Sequence, residues 1–369
     1  MREKIRQLQE YMQSNDIDLI YQDNPSSVAY FTGFQSNPHE RIVAFIVSQE
    51  DDFLFVPSLE KEEAKKQSII ENIYSYSDSQ NPWSIIENEA KKISQQIKTI
   101  GIDEKSLIVQ RYFKLEKNLS SSSNSINFLD ISSFVEDMRL IKSEDEIEKM
   151  LLAGKLADDA LEIGRNLLVE GISEQEVAAK IDMEMKKRGV TDMSFSTLVL
   201  FGDHAASPHG TPGERQLQKN ELVLFDLGVL IDGYASDVTR MVAFGEVSPR
   251  TKELYQIVLK AKERAQEAVK AGVRAGDLDI IARNIIEEAG YGEYFTHRLG
   301  HGIGKTAHEY PSINAENDTI LKEGMCFSIE PGIYIKDDLG IRFEDCVYVT
   351  KDGCVPFTKT SSNLHKINP

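Results

Sequence analysis

The apolar positions in the first third of the chain follow two periods. In the opening stretch MREKIRQLQEYM, Ile5, Leu8 and Met12 recur at helical spacing among charges, which predicts an amphipathic helix. Short apolar runs at 18–21, 42–47 and 53–56 predict strands, and helical stretches at 60–67 and 83–97 follow them. This part therefore reads as an α/β domain. The polar break 119–127, LSSSSNSIN, predicts a surface loop. Beyond it the period becomes helical. Ser143 with Glu146 forms a capping box opening a helix that runs towards Leu168, and Ser173 with Glu176 opens a second helix stopped by Gly189. Further helices fit 251–271 and 277–289, the latter stopped by Gly290. The boundary is expected near 128–142, giving domains of 1–130 and 131–369.

The second domain repeats itself. Gly171 and Gly189 bracket one helix, and Gly272 and Gly290 bracket another 101 residues on. LVLFDLG at 222–228 matches CFSIEPG at 326–332, and GYASD at 233–237 matches GIRFE at 340–344, at offsets of 104 and 107. Each half would be two helices followed by a β-hairpin with two acids. Two such halves facing one another would bring four carboxylates to a shared centre.

In the first hairpin, Asp232 and Gly233 between apolar runs predict a two-residue type I′ turn. That turn pairs Ile231 with Tyr234 and hence Asp226 with Thr239, so Asp226 and Asp237 become diagonal neighbours on one face. In the second, Glu330 and Glu344 share a face only if the turn around 337–340 holds an odd number of residues, three or five. Unpaired acids on inward positions are costly, so a cation is expected among them. Carboxylates with one imidazole suit Mn²⁺, Co²⁺ or Zn²⁺ better than Mg²⁺ or Ca²⁺.

Five of the seven histidines lie between 204 and 308, three of them in HRLGHGIGKTAHE: His297, His301 and His308. Gly300, Gly302 and Gly304 would let this backbone come close to a ligand or ion. His39 and His204 carry no assignment. The net charge of −18 argues against nucleic acid or anionic lipid as a partner. The opening helix lacks the apolar core of a signal peptide, and no run approaches the roughly 18 apolar residues of a membrane span. Cys326, Cys346 and Cys354, an odd set without CxxC spacing, read as reduced buried thiols. A cytoplasmic protein is expected.

Taken in order, DLGVLIDGYASDVTR, HRLGHGIG…HE, SIEPGIY and GIRFEDCV resemble the pita-bread metallopeptidases, a family that includes prolidase, aminopeptidase P and methionine aminopeptidase. YFTGF and the following PHER resemble the prolidase-type N-terminal domain, so the likeness spans essentially the whole chain. It implies an α/β creatinase/prolidase-like domain followed by an α+β pita-bread catalytic domain, and the short bacterial prolidase type in particular. It further implies two divalent metals, Mn²⁺ foremost. Asp226 would bind one, His301 and Glu330 the other, and Asp237 and Glu344 would bridge them. His209 and His297 match substrate-contacting histidines, His308 one that stabilises the tetrahedral intermediate, and Arg342 an arginine behind the ligands. Lys305, Thr306 and Ala307 ahead of His308, and His204 where asparagine is frequent, depart from the family pattern.

The expected activity is hydrolysis of Xaa–Pro dipeptides. Two ions about 3.5–4 Å apart would share a hydroxide nucleophile, with Glu330 passing its proton to the leaving nitrogen. A dipeptidase must also read the carboxylate after proline; Arg298 and the 35–41 loop are candidates, with Arg41 acting from a partner subunit in a homodimer. Aminopeptidase P, acting on longer peptides, is the nearest alternative. Methionine aminopeptidase usually lacks the N-terminal domain, and creatinase lacks the metal ligands. A catalytically silent binding protein on the same fold is the remote alternative, which metal content would distinguish.

Overall fold

The structure, a computed structural model, describes residues 1–120 and 125–369, so part of the expected 119–127 loop lies outside the described residues. It comprises two compact units, Met1–Met138 and Arg139–Pro369. No helix among the described residues is long and apolar enough to cross a membrane.

The first unit is built on a six-stranded sheet. Its central strand Leu19–Gln22 runs antiparallel to Ala44–Val47 and parallel to Thr99–Ile102, and Asp52–Pro57, Ile73–Tyr76 and Asn127–Asp130 complete the order outward. Helix Arg2–Ser14 buries Ile5, Leu8 and Met12, the stripe its period predicts. Helix Pro82–Ile93 starts from an Asn81 cap and stops short of residue 97, where Ser94 turns extended. Ile131 and Val135 pack in this unit's core, which keeps the start of helix Ser132–Leu140 with it.

The second unit follows the internal repeat. Helices Glu144–Leu167 and Glu174–Lys187 lead to strands Glu221–Leu227 and Val238–Phe244, and helices Pro249–Glu267 and Ala275–Glu288 lead to Cys326–Ile329 and Glu344–Val349. Both arms of the Ser143–Glu146 capping box form. At the second box only Ser173 caps, because the Glu176 carboxylate turns to Lys180. The hairpin strands join in one sheet, in the order Gly300–Gly302, Cys326–Ile329, Glu344–Val349, Val238–Phe244, Glu221–Leu227, Leu198–Phe201. The two halves meet where Thr239 faces Glu344 and Val238 faces Asp345. Alternate residues of the two central strands enter two apolar clusters: Val223, Phe225, Val238 and Val242 pack with the first helix pair, and Leu222, Leu224, Met241 and Ala243 belong to the cluster of the second.

Candidate active site

Sheet register gathers the acids. Asp232 and Gly233 both have positive φ, as a type I′ turn requires, and Ile231 pairs with Tyr234. Asp226 consequently faces Thr239, and Thr239 faces Glu344 on its other side. In the second hairpin Ile335 pairs with Leu339, leaving a three-residue loop, the odd number that the shared face needs. Ile329 pairs with Asp345 and Gly332 with Arg342, and the same register sets Glu330 opposite Glu344. Asp226, Thr239, Glu344 and Glu330 thus form one row across four strands. Asp237 precedes Thr239 by two and shares its face. Gly302 pairs with Phe327, which places His301 beside Ser328, two residues before Glu330. All five candidate ligands occupy one face of one sheet.

Distances confirm the convergence. His301 Nε2 lies 3.1 Å from Glu330 Oε1 and 3.7 Å from Asp237 Oδ2. Donor atoms of Asp237, His301 and Glu344 all fall within 4.8 Å of one another. Asp237, His301 and Glu344 are buried, at 4%, 4% and 2% exposure. Arg342 stands behind them. It is hydrogen-bonded to Asp226 Oδ2, its Nε donates to Thr239 Oγ1 (3.1 Å), and its Nη1 donates to Tyr334 Oη (2.8 Å). Thr239 Oγ1 in turn donates to Glu344 Oε2 at 2.7 Å.

The acids are arranged for something the protein itself does not supply. Asp226 Oδ1, Asp237 Oδ1 and Glu344 Oε1 are buried without a hydrogen-bond partner among the described residues. Burial pushes the Asp237 carboxyl well above the usual carboxylate range, and neighbouring Glu344 and Asp226 push it further. Glu344 is raised likewise by burial and by Glu330. Burial would raise Glu330 too, but the hydrogen bond to His301 and the charges of His301, His297 and Arg342 together outweigh this and hold it at about 2. Three unsatisfied oxygens and an imidazole edge on a common centre are the donor set of a divalent cation.

The remaining candidates line the same cavity of about 400 Å³, with Asp226, Asp237 and Glu344 on its wall. His209, His297, Arg298 and His308 all reach it, as does Arg342. Tyr334 Oη bonds His297 Nε2 at 3.1 Å. The His308 ring lies against that of His301, 3.9 Å between centroids and tilted by 47°. Partial desolvation, reinforced by His301, pulls its pKa down to about 4, so it is neutral at ordinary pH. Arg298 is exposed and donates to Ser312 Oγ at 3.2 Å; among the described residues no carboxylate pairs with it.

The reading of the glycines is revised. Gly300 and Gly302 do not make room for an ion: a side chain there would run into the carbonyls of Ser328 and Tyr310 on the flanking strands. His204 is held by buried Glu174 at 2.9 Å. In the 35–41 loop, Arg41 is engaged twice by Asp78 at 3.0 Å.

Sequence reasoning missed Thr239 and Tyr334, although both lie inside the quoted motifs and Thr239 shares Asp237's alternation. It also missed the pair that fixes the histidine loop. Buried Asp279 accepts the Leu299 N–H, and its partner Arg283 donates to the carbonyls of Phe295 and His297. Their i, i+4 spacing on one helix was the available signal.

Comparison with known proteins agrees with this geometry. Residues 148–351 match the profile of metallopeptidase family M24, and residues 4–141 that of the creatinase/prolidase N-terminal domain. The chain belongs to metallopeptidase family M24. The Xaa-Pro dipeptidase of Lactobacillus helveticus is 46% identical over 98% of each chain. The M24 fold is equally evident from solved structures. A prolidase from Pyrococcus horikoshii superposes with a TM-score of 0.90 at 37% identity, covering 98% of this chain and 99% of that one. An X-Pro aminopeptidase from Thermotoga maritima gives 0.85 at 31% identity, over 95% and 98%. As an M24 metallopeptidase the chain is a hydrolase that binds a divalent metal, and its N-terminal unit is of the creatinase/prolidase type.

Proposed function

We propose that the chain is a dipeptidase hydrolysing the Xaa–Pro bond with two divalent ions per chain, Mn²⁺ foremost and Co²⁺ or Zn²⁺ as alternatives. The observation that carries this is the row of buried acids with three partnerless oxygens beside His301. Asp226 would hold one ion, His301 and Glu330 the other, with Asp237 and Glu344 shared. A bound divalent ion supplies a Lewis acid for the scissile carbonyl and lowers the pKa of water towards neutrality.

The chain's own residues account for the rest. Glu330, ionised across the physiological range, accepts a proton from the attacking water and passes it to the proline nitrogen. His308, neutral at the rim, donates a hydrogen bond to the oxyanion as it forms. His209 and His297 contact the substrate, the latter oriented by Tyr334 and thence by Arg342. Arg298, without a carboxylate partner, receives the substrate's terminal carboxylate. Phe195, Leu198 and Pro208 give the cavity an apolar wall for the ring. A tertiary Xaa–Pro amide has no N–H, so recognition by metal and ring pocket suits it.

Relatives named for both dipeptides and X-Pro aminopeptidase action share the fold, and one assay separates the readings. The pure protein with Mn²⁺ should cleave an Xaa-Pro dipeptide and leave an Xaa-Pro-Yaa tripeptide largely intact. Preference for the tripeptide would assign it to aminopeptidase P, and no cleavage with metal bound would leave the silent scaffold. The proposed working form is a cytoplasmic homodimer, and a monomeric mass in sedimentation would remove any role for Arg41 of a neighbouring subunit.

A further inference from the structure

The quoted motif ends in a glutamate for which the proposed chemistry has no use. Glu309 follows His308 directly, yet its side chain is only 6% exposed and turns away into the protein. Its Oε1 accepts the backbone N–H groups of Lys305 (2.8 Å) and Thr306 (3.2 Å), as well as a bond from Arg139. Its Oε2 lies 3.4 Å from Lys142 Nζ. Thr306 Oγ1 then donates to the carbonyl of His308 at 2.9 Å. A side chain on Gly304 would strike the Glu309 carboxylate, so the loop lies close against it. The strand register shifts between His301 and Gly302, where Gly302 faces Glu309, and the 303–308 segment is the excursion this shift creates.

The His308 ring has no hydrogen-bond partner among the described residues, and its ring neighbour is His301, at 3.9 Å between centroids. Its direction is therefore set by its own backbone, and that backbone hangs from one carboxylate. We infer that Glu309 is a positioning residue: anchored by Arg139 and Lys142, it holds the 304–308 loop so that the His308 imidazole faces the reacting carbonyl. This rests on the reading of His308 as the oxyanion donor.

The test is a double-mutant cycle with Glu309→Gln and His308→Ala, read as kcat on an Xaa-Pro dipeptide with bound Mn²⁺ measured in parallel. Glu309→Gln should lower kcat by about 10–100-fold, the effect of a small misplacement, with KM and bound metal unchanged. In the His308→Ala background the same change should cost no more than about twofold, because nothing is left to position. Equal losses in both backgrounds, or a loss of metal, would overturn the inference while leaving His308 its role. A fully active His308→Ala enzyme would instead remove that role, and the inference with it. If Glu309→Gln fails to fold, Thr306→Ala takes its place in the cycle. A severalfold loss confined to the His308 background supports the tether, and no loss or an equal one refutes it.

Discussion

Thr239→Val is the most economical probe of the site, because it replaces no proposed ligand and removes one hydroxyl. Thr239 is fully buried and faces Asp226 on one strand and Glu344 on the other. Its hydroxyl accepts from Arg342 Nε at 3.1 Å and donates to Glu344 Oε2 at 2.7 Å. Valine keeps the shape and deletes both bonds. Glu344, whose Oε1 already lacks a partner, then has neither oxygen hydrogen-bonded. Without metal, Glu344 can relieve this by taking up a proton, so the loss falls mainly on the stranded Arg342 N–H. One unsatisfied buried group costs about 1–3 kcal/mol, a fall of roughly 2–12 °C in Tm for a domain of this size. With metal, a ligand that loses its supporting hydrogen bond should bind about 10–100-fold more weakly. Thermal unfolding of the metal-free protein and chelator competition for Mn²⁺ would measure the two effects. Thr239→Ser, which retains the hydroxyl, should keep wild-type affinity. Equal metal loss in the serine and valine variants would show that shape and not hydrogen bonding supports Glu344, and unchanged valine values would refute the account.

Asp237→Asn should abolish metal binding and turnover together while raising the Tm of the metal-free protein, since it removes one acid from a repelling cluster; retained metal with normal turnover would sink the ligand assignment. The metal-free protein should lose stability as pH rises above about 4, because burial and neighbouring carboxylates raise the folded pKa values of Asp237 and Glu344 above their unfolded ones, and their stabilising neutral forms are lost on ionisation. Saturating Mn²⁺ should cancel that slope, and a Tm that climbs over the same range without metal would contradict it. His308→Ala should retain its metal and lose about 10²–10³ in kcat; a fall in bound metal would make it a ligand. Arg298→Ala should raise KM for Xaa-Pro about 10- to 150-fold and spare a C-terminally amidated substrate, whereas equal losses on both would send the carboxylate elsewhere.

The parts of the site legible in the sequence were those governed by period and register. A two-residue turn at Asp232 and Gly233 fixes every pairing as far as Asp226, so the first pair of acids could be placed by counting. The second pair depended on a loop length that the sequence leaves open, and the left-handed Asp337 in a three-residue turn decides it. The repeat told of two halves but not of their joining, which is a long-range strand pairing of Thr239 with Glu344. The glycines of the histidine loop were read for the wrong neighbour, since close approach looks the same in sequence whether the other party is an ion or a carbonyl. The i, i+4 spacing of Asp279 and Arg283 signals the pair but not the loop it holds, and Glu309 depends on tertiary contacts that no local pattern encodes.

The strongest physical case for the metal comes from a comparison within one strand. Glu344 and Asp345 are adjacent and equally buried, and alternation sends them to opposite faces of the sheet. Asp345 is fully provided for: Arg240 and Lys262 both pair with it and Thr358 donates at 2.7 Å. Burial alone would raise its pKa, and the two cations bring it below the ordinary value. Glu309, elsewhere in the unit, is provided for in the same way by Arg139 and Lys142. The fold can therefore place cations against a buried acid where it needs to. On the other face it leaves single oxygens of Glu344, Asp237 and Asp226 without partners and lets burial, reinforced by mutual repulsion, drive these acids towards protonation. An arginine in reach, Arg342, bonds one oxygen of Asp226 and otherwise serves Thr239, Tyr334 and the Pro208 carbonyl. Such an arrangement destabilises the metal-free protein and becomes favourable only when a mobile charge of +2 enters. The instability of the empty cluster and the affinity for metal are the same free energy seen from two sides, which is why removing one of these acids should stabilise the metal-free protein and weaken its hold on metal together.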